Sequence, residues 1–475
     1  MENKITYKSL FEDFIVFEKE NNLLNLKIKD LPVWEFNRVE VFTQIKEQLT
    51  NKNTNIHEIK FKKSFRVIYE FIMNILFYNP FFISKQKQYL ILNHPRRKID
   101  KGYYMDIYTD PWLPILNDDY YVFEGFVNIN FAHYKPVKTN NLYYLDILQL
   151  PSHLIRFFPV SVKFTVIELQ IIEEIENKIK NKWNIQNLGL KNKIEYTIKR
   201  MKFVKPGINW LLKKTNPSKI INVVSYSFIN QAFTYLAKKR NIPVFELQHG
   251  TVSKYHIAYN FGFNELNTSE TFADYFLSWG EGWTYNSRMP INKAKVVNIG
   301  FPHINSFKTI DTPNRKEKQI VVLSQYRNDI ANFAIALSKR LPEYEIIYKA
   351  HPAEYTTIFE KHGKMKEIQN LEVIANDNEN LYQLFQKTMF VFGVNSTALI
   401  EATIFCPNIV IVKFPGWEYF EELIINKNFY FVSSVNEAIY YIKNKSIAHK
   451  NIDSTFFFEN NSFDKLNSFL RQITK

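Results

Sequence analysis

The chain has 475 residues, 46% hydrophobic and 23% charged, which excludes an intrinsically disordered protein and leaves room for two or three domains with sizeable cores. Its formal net charge of +14, from 61 Lys and Arg against 47 Asp and Glu, favours anionic partners such as an acidic lipid surface, a sugar nucleotide or an anionic glycan. Nucleic acid is set aside, because no Cys/His finger and no aromatic RNA-binding pattern is present.

The 42 Phe and 28 Tyr are read as genomic bias toward Lys, Asn, Ile, Phe and Tyr. The single cysteine, Cys406, cannot form an internal disulfide. The polar stretch from Met1 to Tyr7 lacks a signal-peptide core, and no run of about 18 apolar residues is long enough to span a bilayer. The expected location is the cytoplasm, with a peripheral position at the inner face of the plasma membrane.

Residues 1–85 are expected to be a helical region, with Phe11, Phe14, Ile15 and Phe17 on one stripe and Trp34, Phe36, Val39, Val41 and Phe42 in the next segment. The apolar run from Phe65 to Tyr78 follows Lys60, Lys62 and Lys63. It reads either as a membrane-surface helix or as a helix packed on the next domain.

A first αβ domain is expected over 86–310. Tyr89–Leu92 reads as a strand running into His94, Pro95, Arg96, Arg97 and Lys98. Those cations suit an anionic ligand or a solvated loop equally. Asp106 and Asp110, on the loop that follows, are candidate polar contacts, together with His94 and Arg96. After a charged helical stretch over 150–215, a βαβ rhythm resumes with strand Ile220–Ser225, helix Asn230–Arg240 and strand Ile242–Leu247. That last strand ends in Gln248, His249, Gly250 and Thr251.

Further strands end in Trp279-Gly280-Glu281-Gly282-Trp283 and in Gly300-Phe301-Pro302, and Thr309–Lys318 reads as a linker. A second αβ domain is expected over 311–475. Its first strand ends in Ser324-Gln325-Tyr326-Arg327, the next in Lys349-Ala350-His351-Pro352, and a third in Asn395-Ser396-Thr397. Taken alone, His-Pro is a turn and Asn-Ser-Thr an N-cap. On neighbouring βα units they suit a phosphate, with His351, Ser396 and Thr397 as donors and Lys349 as a charge. Phe456–Lys475 reads as one helix. Asp118-Asp119 is adjacent rather than spaced and is rejected as a metal motif.

His249-Gly250-Thr251, Gly300-Phe301-Pro302, the strand end before Arg327, His351-Pro352 and Asn395-Ser396-Thr397 fall in an order that resembles the CDP-glycerol glycerophosphotransferases of teichoic-acid synthesis. The His-Pro and Ser/Thr pair is also similar to that of bacterial sialyltransferases and polysialyltransferases. The likeness covers 244–415 and lies in the motifs. Asn-Ser-Thr stands where an Asp-Tyr-Ser-Ser type is usual, and the acidic base motif of the sialyltransferases has no clear match.

The resemblance implies a GT-B fold: α/β, with two Rossmann-like domains facing a central cleft and an N-terminal helical extension. It further implies a metal-independent transferase, without cofactor, that takes a CMP- or CDP-linked donor and extends a surface glycan. By that analogy His249 is the general base, with Gly250 and Thr251 beside it at the acceptor. His351, Ser396, Thr397, Arg327, Lys349 and Ser324 hold the donor phosphate, and Glu401 grips a ribose. The expected acceptor is a glycan or lipid-linked glycan. Glycerophosphate transfer is the alternative, and a non-catalytic glycan-binding scaffold is the second.

Overall fold

The computed structural model describes residues 6–50, 65–126, 132–155, 161–263, 269–307, 318–376, 379–406, 408–421, 429–444 and 453–473. Lys60, Lys62, Lys63 and most of the expected linker, 309–317, lie outside the described residues. Two compact units emerge: Met1–His249 with Ile257–Leu277 and Arg288–Val297, and Gly250–His256 with Ser278–Ser287 and Asn298–Lys475.

The first unit carries β1 (Tyr89–Leu92), a short hairpin of β2 (Lys98–Asp100) and β3 (Tyr103–Met105), then β4 (Tyr120–Glu124), β5 (Leu142–Tyr144), β6 (Lys219–Val223), β7 (Val244–Leu247), β8 (Tyr275–Ser278) and β9 (Val296–Asn298). Outside the hairpin they form one sheet in the order β5-β4-β1-β6-β7-β8-β9, parallel from β5 through β8. Its central strands are apolar runs buried on both faces, as parallel strands covered by helices require.

The second unit holds β10 (Gln319–Leu323), β11 (Glu345–Lys349), β12 (Leu371–Ile374), β13 (Phe390–Gly393), β14 (Asn408–Val412) and β15 (Tyr430–Val432). This sheet is parallel throughout, ordered β12-β11-β10-β13-β14-β15. The fold is therefore α/β with two Rossmann-like units. In each, the chain builds outward from one strand and then returns to its other side. The switch points fall between β1 and β6 and between β10 and β13, where such sheets place ligands beyond the strand ends.

Among the described residues, the helices of the first unit are α1 (Tyr7–Glu20), α2 (Val33–Leu49), α3 (Phe65–Phe77), α4 (Asp146–Leu154), α5 (Val166–Trp183), α6 (Leu190–Thr215) and α7 (Phe228–Lys238). The expected α1 stripe is buried, and Thr6 caps the helix through Ser9 N–H. On α2 the buried face is less apolar than expected: Phe36 and Val39 are half-buried, while Glu35 and Arg38 are buried.

Those charges hold a loop. Glu18 of α1 and Arg38 make a two-pronged ion pair, Nε to Oε1 2.7 Å and Nη2 to Oε2 2.8 Å, and Trp34 Nε1 donates to the same carboxylate at 2.7 Å. Arg38 also donates to the carbonyls of Ile257 and Asn260. Glu35 accepts from Ser269 Oγ, Glu270 N, Thr271 N and Thr271 Oγ1. The N-terminal helices thus grip both described ends of the 257–271 segment. Gly262 is required there, since a Cβ would lie 2.1 Å from the Ile15 carbonyl oxygen.

Three expectations need correction. Of the cation run after β1, Arg97 turns inward to Glu124 and Asp110, leaving Arg96 and Lys98 exposed. The Asp106–Trp112 stretch is no open loop: it enters a 3-10 turn, Asp110–Leu116, that buries Trp112. The C-terminal segment forms two helices, Ser454–Phe457 and Ser462–Gln472. The first docks where Gly280 and Gly282 leave room, with Trp283 Nε1 donating to Phe457 O at 2.8 Å. Gly300 of the Gly-Phe-Pro motif, at φ +79°, packs against Glu459 O and Ser462.

Candidate functional sites at the strand ends

In the first unit, His249 follows β7 and Tyr226 follows β6. The Tyr226 hydroxyl lies 3.2 Å from His249 Nε2, and the Tyr259 hydroxyl lies 3.3 Å from Nδ1. The Tyr259 hydroxyl also donates to Glu246 Oε1 at 3.0 Å, and Ser225 N–H donates to the same oxygen at 3.2 Å. Tyr259 sits in the segment that the Glu18–Arg38 pair grips. Burial pushes the Glu246 carboxyl up to about 7, although its hydrogen bonds from Ser225 and Tyr259 oppose this. Burial also raises Tyr226, to about 12, and Tyr259 further, so both phenols stay protonated at neutral pH.

His94, after β1, brings its ring to 5.8 Å from that of His249, centroid to centroid, and Tyr108 to 6.2 Å. His94 Nδ1 accepts from Arg96 N–H at 3.0 Å, and burial pulls the ring down to about 4, so it is neutral. Asp106 is fully buried and accepts from His94 N, Tyr108 N and Thr109 Oγ1. It shapes the loop carrying His94 and is not open to a ligand.

Beneath lies a charged core. Glu124, ending β4, takes Arg97 Nε at 2.7 Å, Asn93 Nδ2 at 2.8 Å and His133 Nδ1 at 3.1 Å. His133 Nε2 meets Asp146 at 2.8 Å, and Asp146 takes Asn74 of α3 at 3.0 Å. Burial alone would lower His133, but the two carboxylates raise it. Each charge is paired, as buried charges must be.

In the second unit, sheet order sets the ends of β11, β10 and β13 side by side. Ser324 Oγ is buried and accepts from Tyr348 Oη at 2.8 Å and Tyr326 N at 3.2 Å, where Tyr326 adopts φ +59°. Gln325 Oε1 accepts from Asn395 N at 2.9 Å, tying β10 to β13. Arg327 is committed to Asp329, Nε to Oδ1 3.0 Å, and to the Pro415 carbonyl. Lys349 donates to Asn376 O and Tyr355 Oη.

His351 caps the Pro352–Glu354 turn: its Nδ1 accepts from Ala353 N at 3.1 Å, and its own N–H donates to Glu354. In the neutral ring the proton therefore sits on Nε2, a donor suited to an anion. Ser396 caps the five-residue helix Thr397–Glu401, and Thr397 Oγ1 lies 2.9 Å from Thr251 Oγ1. Gly250 is adjacent: a Cβ on it would be 4.0 Å from Thr397 Oγ1. Glu401 accepts from Tyr382 Oη at 2.9 Å.

Sequence reasoning missed Tyr226, Tyr259, Glu246, Gln325 and Glu354. Glu246 carried a signal, since an acid within Val-Phe-Glu-Leu on a strand buried on both faces must be held by donors. Tyr259, on a segment without periodicity, carried none. Among the described residues, no group of three or more His, Cys, Asp or Glu is arranged to hold a metal ion, and no helix is long and apolar enough to cross a membrane.

No family profile matches the chain, and no characterised protein matches it in sequence. Solved structures do. The chain is similar to UDP-GlcNAc 2-epimerase from Neisseria meningitidis bound to UDP-GlcNAc, with 10% identity and a TM-score of 0.49 over 82% of this chain and 100% of that one. Its likeness to the Methanocaldococcus jannaschii UDP-GlcNAc 2-epimerase has 14% identity and a TM-score of 0.46, covering 82% and 99%. For the wall teichoic acid polymerase TagF the values are 12% and 0.42, covering 86% and 96%.

Proposed function

We propose that this chain is a GT-B-type transferase in which the first unit activates an acceptor hydroxyl and the second holds a nucleotide-activated donor. The observation that carries this reading is His249 at the end of β7, with both ring nitrogens met by tyrosine hydroxyls above a buried carboxyl. A neutral imidazole so held is an oriented general base. In the leading reading, His249 takes the acceptor proton as the acceptor oxygen bonds to the anomeric carbon. The sugar–phosphate bond breaks, and the nucleoside phosphate leaves with the bonding electrons. His351 Nε2–H and the hydroxyls of Ser396 and Thr397 meet the donor phosphate. A CMP- or CDP-linked donor and growth of a surface glycan, capsule or lipopolysaccharide, follow from the motif order.

Metal independence belongs to the proposal, since the donor's charge would be met by protein groups. The test is a thermal-shift screen against CMP, CDP, UDP and GDP conjugates, with and without a chelator. Stabilisation by a cytidine conjugate that survives chelation and is lost in His351→Ala is expected. No response to any nucleotide would sink the reading.

Glycerophosphate transfer is the second reading, with attack at phosphorus and release of CMP. It is favoured by the bond between Thr251 and Thr397, which joins two of the motifs behind that resemblance. A phosphodiester product would select it.

The proposal includes a cytoplasmic enzyme that sits peripherally on an anionic membrane. On α3, Asn74 faces inward to Asp146, while Ile68, Tyr69, Ile72 and Leu76 share an exposed stripe. On α6, Phe203 and Trp210 are exposed beside Lys213 and Lys214. Aromatic and aliphatic groups flanked by lysines suit an anionic bilayer surface. Co-sedimentation with phosphatidylglycerol vesicles, weakened by high salt and by Ile72→Glu, is the expected result. Equal recovery with neutral vesicles would remove this part.

A further inference from the structure

We propose that Glu246 and Tyr259 are positioning residues that fix the proton of His249 on Nδ1 and leave Nε2 as the basic nitrogen. The Tyr259 hydroxyl has one hydrogen and lies between two partners, Glu246 Oε1 at 3.0 Å and His249 Nδ1 at 3.3 Å. Glu246 Oε1 also receives the Ser225 N–H, so it is an acceptor on both sides. The Tyr259 proton therefore goes to Glu246, and the phenol oxygen can only accept from His249. That demands an N–H on Nδ1. In the neutral ring Nε2 then carries the lone pair and accepts from the Tyr226 hydroxyl, 3.2 Å away.

This arrangement holds whether or not Glu246 is ionised. Its second oxygen, Oε2, is buried with no hydrogen-bond partner among the described residues, so a proton taken up there leaves Oε1 accepting as before. Burial that raises the carboxyl toward neutrality favours that uptake. The groups near the triad include Tyr226 and Tyr108, the neutral His94, and Arg96, whose charge is felt at Tyr226. His94 and Tyr108 meet the His249 ring as ring-to-ring neighbours. An incoming acceptor hydroxyl would displace Tyr226 from Nε2 and find there the nitrogen able to take its proton.

The inference rests on the general-base reading for its catalytic meaning, but not for its test. The full-length protein, labelled with ring-15N histidine and assigned with a His249→Gln variant, reports which nitrogen is protonated. Wild type is expected to show His249 with a protonated-type Nδ1 and an unprotonated-type Nε2. Glu246→Gln keeps an acceptor oxygen toward Ser225 and Tyr259 and should preserve this pattern. Tyr259→Phe and Glu246→Leu should both shift the proton toward Nε2, and Tyr259→Phe should lower kcat about tenfold or more with little change in KM. An unprotonated Nδ1 in wild type, or a pattern indifferent to Tyr259→Phe, would overturn the assignment. If His249→Ala retains turnover while the nitrogen pattern responds as expected, the positioning stands and the general-base reading fails.

Discussion

The two strand-end clusters are built on sheets of matching logic but from opposite materials. At the first, both ring nitrogens of His249 face tyrosine hydroxyls, one of which also bonds the buried Glu246 carboxyl, so the histidine is held side chain to side chain. At the second, side chains mainly cap backbone N–H groups: His351 to Ala353, Ser396 to Ala398, Gln325 to Asn395. Each arrangement suits its own chemistry. Side chains in a low-dielectric setting tune where a proton sits. Caps hold a backbone turn still, and their remaining donors suit an anion of fixed charge.

His249→Ala should lower turnover about 10²–10⁴-fold, the range for loss of a general base, while leaving nucleotide-induced thermal stabilisation unchanged. Loss of both would mean that the clusters do not divide the work. Next comes the clamp on the first cluster: Arg38→Ala strands the buried Glu18 carboxylate and should cost about 3–5 kcal/mol in denaturant unfolding. Arg38→Lys, which cannot reproduce the two-pronged pair, should recover only part of it.

A third test uses pH. Glu246 has a folded pKa of about 7, above the ordinary 4.5, so its contribution is fully present below 4.5 and is lost as pH rises through 7. Wild-type stability relative to Glu246→Gln should therefore fall by at most about 3 kcal/mol between those limits and level off above them. A difference that does not vary with pH would show Glu246 ionised throughout. The smallest effect is expected in the second unit, where Ser396→Ala removes one cap and should cost about 1 kcal/mol.

Much of this was legible in the sequence. Apolar β-branched runs such as Ile320–Leu323 and Val391–Phe392 announced the parallel strands, and the polar residues after them marked the ligand edge, because a buried parallel strand can change character only at its ends. The Phe11, Phe14 and Phe17 stripe announced α1 in the same way. Chain order could also set His249 and His351 at strand ends.

Which polar groups meet was set by packing in three dimensions. Arg97 looked like part of an exposed basic run and became the partner of Glu124, since that acid comes from another strand and pairing is set by sheet order. Ser324 meets Tyr348 of the neighbouring strand and Lys349 meets the Asn376 carbonyl, partners that sheet order brings together. Tyr259 reached His249 because helices more than two hundred residues earlier grip its segment. Periodicity records which face of an element is buried, and that is local. The partner of a buried hydroxyl or carboxyl depends on elements distant in sequence, and no spacing along the chain encodes it.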